Sequence, residues 1–139
     1  MLFRLARRGA FLQKMKFTIE GRLSGLNEYT NACRNNRYEG NNMKKKNQES
    51  VIKGILKGIR ERSLNWVYKY PVKLKITWYE PNKRRDVDNI TFGIKFILDA
   101  LVRKEILKDD SQKYVNAIEN VVLVDKDNPR IEVEVIENV

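Results

Sequence analysis

Histidine is absent from this 139-residue chain, and cysteine occurs once, at Cys33. The first absence excludes a Ser-His-Asp triad, a Cys-His pair and any His-ligated zinc site. The second excludes an intrachain disulfide and a cysteine-built metal centre, and suits a reducing, cytoplasmic setting. Proline occurs three times and glycine seven times, too few for a low-complexity chain. No apolar run approaches the ~18 residues needed to cross a bilayer. Aspartate is missing from the first 85 residues altogether. Catalysis, if the chain performs any, must therefore rest on carboxylates, lysines and a hard cation held by oxygen.

What is present is positive charge, unevenly placed. The formal net charge is +10. Residues 1–85 hold twenty-one Lys and Arg against six Glu, whereas residues 86–139 hold seven against twelve Asp and Glu. A basic surface from the first part and an acidic cluster from the second suit a polyanionic partner such as nucleic acid, whose binding weakens steeply with salt. A basic protein kept soluble by its charge has the same composition. With 42% hydrophobic residues, the length suits one compact domain.

Residues 1–14 are basic and apolar without acids, and read as a disordered or loosely docked extension to a domain over 15–139. Met15, Phe17 and Ile19 alternate with Lys16, Thr18 and Glu20, the period of a half-buried strand. Residues 21–42 read as a polar loop. Its Asn27, Arg34, Arg37 and Tyr38 suit contacts to nucleic-acid backbone and bases, or simply an exposed loop. A helix is expected over 43–63, capped by Asn41 or Asn42, with Ile52, Ile55, Leu56 and Ile59 as its buried stripe. Its outer face gathers Lys44, Lys45, Lys46, Lys53, Lys57, Arg60 and Arg62 against only two acids, which favours phosphate contact over a solvated helix of mixed sign.

Val72, Leu74, Ile76 and Trp78 form the clearest alternating strand, which delivers a turn at Glu80-Pro81-Asn82. A second helix is expected over 89–103 with Asp88 as its cap. A largely buried strand over 114–124, a turn at 125–129 and an amphipathic strand over 131–135 complete the order. The expected class is α/β, in the α+β sense: a single small domain with one mixed sheet flanked by two main helices.

The chemistry concentrates at Lys83-Arg84-Arg85-Asp86-Val87-Asp88-Asn89. Aspartates two apart on an extended segment project to one side, so Asp86 and Asp88 can share a cation. The following helix would be about 22 Å long, and residues 104–110 can reach at most roughly 25 Å. That is enough to return Asp110, of the Asp109-Asp110 pair, to the helix start. Three carboxylates without histidine suit Mg2+ or Mn2+, which polarise phosphodiesters and activate water. Lys95 lies two helical turns after Asp88 and can face phosphate charge in the transition state. The plainer alternatives are an N-cap at Asp88, a turn at Asp109-Asp110 and a snorkelling Lys95.

Arg84-Arg85-Asp86-Val87-Asp88-Asn89, then Lys95 through Asp99-Ala100-Leu101, then Asp109-Asp110, resemble in order the R-D-x-D-N, K-x-x-x-D-A-L and D-D elements of the RusA family of Holliday junction resolvases. Three extra residues precede Lys95 relative to the founding member. At the family's Pro-Pro-Ser-x-Asn entry, only Asn27 matches. The resemblance implies a homodimeric, Mg2+-dependent endodeoxyribonuclease of phage or prophage type that resolves four-way DNA junctions in recombination and repair. It assigns Asp86, Asp88 and Asp110 to metal and catalysis, and Lys95 to catalysis. Asn27, Arg34, Arg37, Lys44, Lys45, Lys46, Lys83, Arg84 and Arg85 are the expected DNA contacts. Two nicks need two acidic clusters, which a two-fold dimer supplies, with the C-terminal strand as one candidate surface. A non-catalytic branched-DNA-binding protein, or a metal nuclease acting on forks or RNA, remain the alternatives.

Overall fold

The computed structural model describes residues 13–137. The expected N-terminal extension lies outside the described residues except at its last two positions, which already belong to the first strand. Strand β1 (Gln13–Glu20) is followed by helices α1 (Leu26–Asn35) and α2 (Arg37–Arg60), then by strand β2 (Val72–Glu80). Helices α3 (Val87–Thr91) and α4 (Ile94–Arg103) lead to strands β3 (Val115–Val124) and β4 (Arg130–Glu137). The four strands form one mixed sheet in the order β1-β4-β2-β3. Strand β4 runs antiparallel to both of its neighbours, and β2 is parallel to β3. The expected α+β domain is therefore present, with α1 in addition to the two anticipated helices.

Helix α1 replaces most of the expected loop. Its own start signal is weak, because the N-cap is Gly25. A residue distant in sequence supplies the missing acceptor: Asn89 Oδ1 accepts from the Asn27 amide at 3.0 Å. The Glu28 carboxylate accepts from Gly25 N–H at 2.9 Å. Asn36 then breaks the helix in an extended conformation, and its side chain accepts from the Glu39 amide, capping α2 six residues earlier than expected.

The buried face of α2 is also rotated from the expected stripe. Asn47, Gln48, Val51, Gly54, Ile55 and Gly58 are buried, whereas Leu56 and Ile59 are 47% and 40% exposed. Close approach to β1 explains the two glycines. A Cβ on Gly54 would collide with the Thr18 carbonyl oxygen, and one on Gly58 would lie 3.0 Å from Phe17 Cβ. The helix thus brings its backbone close to the strand at Gly54 and Gly58, while Val51 and Ile55 enter the core.

Strand β2 alternates as expected, and Val72, Leu74, Ile76 and Trp78 are buried on the helix-covered face. Their core partners include Phe17, Ile19, Phe96, Ile97, Leu101, Val133 and Val135. Removing a Leu or Ile from such a core costs about 2–5 kcal/mol. The opposite sheet face carries cross-strand ion pairs, among them Lys16 with Glu132 and Lys73 with Glu119.

Two strand expectations need correction. Strand β3 is not largely buried: it is an edge strand of the described sheet in which only Val115 is buried. Strand β4 is paired on both sides, so the C-terminal strand has no free edge for a partner. Among the described residues, no helix is long and apolar enough to cross a membrane.

Candidate active site

Glu80 organises the turn that carries the aspartates. It occupies the last core-facing position of β2, so its carboxylate is buried and must meet a cation. Arg85 supplies that cation as a fork, with Nε 3.1 Å from Glu80 Oε1 and Nη2 2.9 Å from Oε2. Arg22 adds a contact at 3.0 Å. Arg85 also donates to the Leu23 carbonyl at 3.3 Å and lies 3.5 Å from Glu28. One guanidinium thus ties the end of β2, the approach to α1 and the aspartate turn together. Its side chain is only 15% exposed: the buried carboxylate turns Arg85, one of the expected DNA contacts, inward. A planar, bidentate fork suits this geometry, and lysine would not reproduce it.

Gly25 completes the clamp by being small. A Cβ there would lie 2.5 Å from Asn89 Oδ1 and 3.0 Å from Arg85 Nη1. The asparagine of the R-D-x-D-N element therefore has a structural task, the capping of α1. Its neighbours Asp86 and Asp88 point to solvent. The backbone carbonyl of Asp86 accepts from the Ile90 amide, so Asp86, and not Asp88, is the N-cap of α3. Asp88 sits in the first helical turn, where the positive end of the helix favours a carboxylate.

The expected single helix after this turn is divided at Phe92-Gly93. The bonds from Gly93 to Ile90 and from Phe96 to Gly93 tighten the chain there before α4 continues. The break falls between Asp88 in α3 and Lys95 in α4, so the two do not lie on one continuous α-helix. Lys95 is exposed and, with Phe92, lines a cleft against α1. Asp99, of the Asp99-Ala100-Leu101 element, accepts a long bond from Gln48 of α2 at 3.3 Å.

Asp110 is not brought to this end of the protomer. Val72 pairs with Val115 and Glu80 with Val124, so β3 begins beside the start of β2. Asp110 precedes β3 and is followed by a turn in which Tyr114 and Val115 amides bond the Ser111 carbonyl. The segment before it is pinned to the same end: Val67 N–H bonds the Ile106 carbonyl, and Lys108 N–H bonds the Tyr70 hydroxyl at 3.0 Å. Asp86 and Asp88 follow the opposite end of β2, a strand about 26 Å long at ~3.3 Å per residue. Among the described residues, no three His, Cys, Asp or Glu side chains gather to hold a metal ion. Residues 104–110 have the reach to return Asp110 to the turn, but burial of Ile106 and Leu107 directs them elsewhere.

The remaining basic positions stay available. Arg34 on α1, Arg37, Lys45 and Lys46 on α2, and Lys83 and Arg84 in the turn are exposed, and Lys44 is half-buried. Asn27 is exposed at the start of α1, with its backbone amide held by Asn89. Sequence reasoning missed Glu80 and Arg22. Continued alternation through Trp78 to Glu80 was the signal for an inward-facing carboxylate.

No curated protein matches the chain. A family model, endodeoxyribonuclease RusA, matches residues 26–136. That span contains the aspartate turn, Lys95, Asp110, strands β2 and β3 and all but the last residue of β4, and the chain therefore belongs to the RusA endodeoxyribonuclease family.

Proposed function

We propose that this protein is a Mg2+-dependent, structure-selective endodeoxyribonuclease that acts as a homodimer and resolves four-way DNA junctions by paired hydrolysis. The observation that carries the reading is the turn itself: two exposed aspartates follow Lys83 and Arg84 on a segment anchored by the Glu80–Arg85 pair. Lys83 and Arg84 address the phosphate backbone, as do Arg34, Arg37 and Lys44 to Lys46 on the helical hairpin. Lys95 faces the scissile phosphate and balances charge that grows on its oxygens.

Asp86 and Asp88 are hard oxygen donors suited to Mg2+ or Mn2+, and Asp110 of the partner subunit completes the set. When bound, such a cation polarises the phosphodiester and activates water for in-line attack. Among the described residues the outer edge of β3 is unpaired, which supports this dimer. Leu123 and Val124 are each 45% exposed there, and an unpaired apolar edge favours pairing with another chain. A two-fold axis normal to the sheet makes that pairing antiparallel. It directs the start of one β3, with its Asp110, toward the end of the other, where the aspartate turn follows β2.

The test is Asp88→Asn. The variant should retain junction binding and lose cleavage in Mg2+; wild-type-like cutting would remove Asp88 from the mechanism. A second reading is favoured by the two-carboxylate cluster of the isolated protomer: a branched-DNA-binding protein without cleavage. It predicts retardation of junctions by the wild type with no nicks in Mg2+ or Mn2+. Competition among junction, fork, duplex and RNA at fixed salt separates the remaining substrates.

A further inference from the structure

An open cleft of about 450 Å³ lies between α1 and the α3–α4 turn, with Leu26, Tyr29, Cys33, Arg34, Phe92 and Lys95 in its lining. The Tyr29 and Phe92 rings lie 5.5 Å apart and tilted by 36°. Phe96 packs edge-on against both, with centroids at 5.9 and 5.7 Å. Phe96 itself is fully buried, so the two outer rings rest on the core. Leu26, at the rim, is 38% exposed. Burial and the neighbouring Cys33 push the Tyr29 phenol above its ordinary value, which keeps it neutral.

The surroundings of this apolar floor identify its ligand. Arg34 and Lys95 are the charged residues of the lining, and both are cations. Lys95 and Phe92 line the cleft from the α3–α4 segment in whose first turn Asp88 stands. A ligand for the cleft must therefore offer a flat face to aromatic rings and carry negative charge on its flanks. A nucleobase attached to its phosphates does both, and base–aromatic stacking tolerates any sequence. Bases at a branch point are also less costly to unstack than those within a continuous duplex.

We propose that the cleft receives one nucleobase displaced from the stack at the DNA branch point, laid against Tyr29 and Phe92 with its flanking phosphates at Lys95 and Arg34. The proposal rests on the DNA-directed reading above, and gives that reading a source of selectivity that the basic surface alone lacks. Phosphate contacts attract duplex and junction alike. A site for an extruded base favours DNA that can release one.

The test measures binding of the full chain, in EDTA, to a four-way junction and to linear duplex of the same sequence, with 2-aminopurine beside the exchange point. Wild type should change the 2-aminopurine signal on binding the junction. Tyr29→Leu and Leu26→Gln should weaken junction binding about tenfold, abolish the signal and leave duplex binding unchanged. Tyr29→Phe, which keeps the ring, should behave as wild type. Leu26 is partly exposed, so its variant reports on the cleft even if Tyr29→Leu unfolds. Wild-type junction affinity and signal in both altered proteins would overturn the base site while leaving the nuclease reading intact. Equal losses on junction and duplex would overturn it too, as would loss of the dimer in Leu26→Gln, which would make the cleft a protomer contact. Failure of the wild type to bind any junction would overturn both readings.

Discussion

Mixing two inactive variants tests how the metal site is assembled. Asp88 and Asp110 stand near opposite ends of β2, separated along the strand by about 26 Å. In the proposed mechanism both aspartates hold one cation, whose oxygen ligands lie only ~2.0–2.6 Å from it; one protomer does not bring them together while Lys108 and Tyr70 pin the intervening segment. In a dimer with crossed sites, an Asp88→Asn protomer paired with an Asp110→Asn protomer has one site lacking both aspartates and one site intact. Random reassortment makes half of the dimers mixed, so about a quarter of all sites should be active. Each variant alone should be silent. After mixing under conditions that exchange subunits, a junction labelled on each strand should recover single nicks at about a quarter of the wild-type rate, without paired cuts within one binding event. Silence of the mixture, with exchange confirmed by tagged subunits, would refute crossed sites and require Asp110 to act within its own chain or not at all.

Three further outcomes follow from the structure. Arg85→Met leaves the buried Glu80 with only the partly exposed Arg22, and should destabilise the fold by about 3 kcal/mol, a fall in Tm of about 10 °C; a thermal melt within about 2 °C of wild type would show that the fork is not structural. Replacing Lys44, Lys45 and Lys46 together by alanine should reduce the slope of log K against log salt for DNA binding by about 2 to 3, with helix content by circular dichroism unchanged; an unaltered slope would remove these lysines from the phosphate contacts. The Arg130 guanidinium, 2.8 Å from Asp125, holds that carboxyl below its ordinary value. Its stabilising effect is therefore complete above the unfolded carboxylate range and lost as pH falls through the lower folded value. Wild type should be more stable than Asp125→Asn near neutrality, with the gap closing only in acid; a gap that persists at about pH 2 would contradict the ion pair as its cause.

Several local signals translated directly into structure. The alternation in residues 72–78 became β2, and the alternation in 131–135 became part of β4, because a half-buried strand must present every second side chain to the core. The helix expected over 89–103 also formed in its later part as α4, with Ile97, Ala100 and Leu101 inward. Helix α1 was not legible as a helix. Its N-cap is a glycine, and the acceptor that starts it comes from Asn89, 62 positions away. The rotated face of α2 was hidden for a related reason: periodicity reports where isoleucines recur, whereas close packing chose the side with Gly54 and Gly58. Strand β3 looked buried because it is rich in valine, yet no described strand lies beyond it and most of its side chains are exposed or half-buried.

The site divides along the same line. Sequence by itself determined which chemistry was possible: without histidine and with a single cysteine, only oxygen donors and basic side chains remained, and the ordered R-D-x-D-N, Lys95 and Asp109-Asp110 elements pointed to one nuclease family. Only the tertiary structure decided where those groups stand. It turned Arg85 inward, because a carboxylate buried at Glu80 cannot remain unpaired, and left Lys83 and Arg84 outside. It also set Asp110 at the far end of β2, because reach along a chain gives only the greatest possible distance, while the burial of Ile106 and Leu107 selects the path taken.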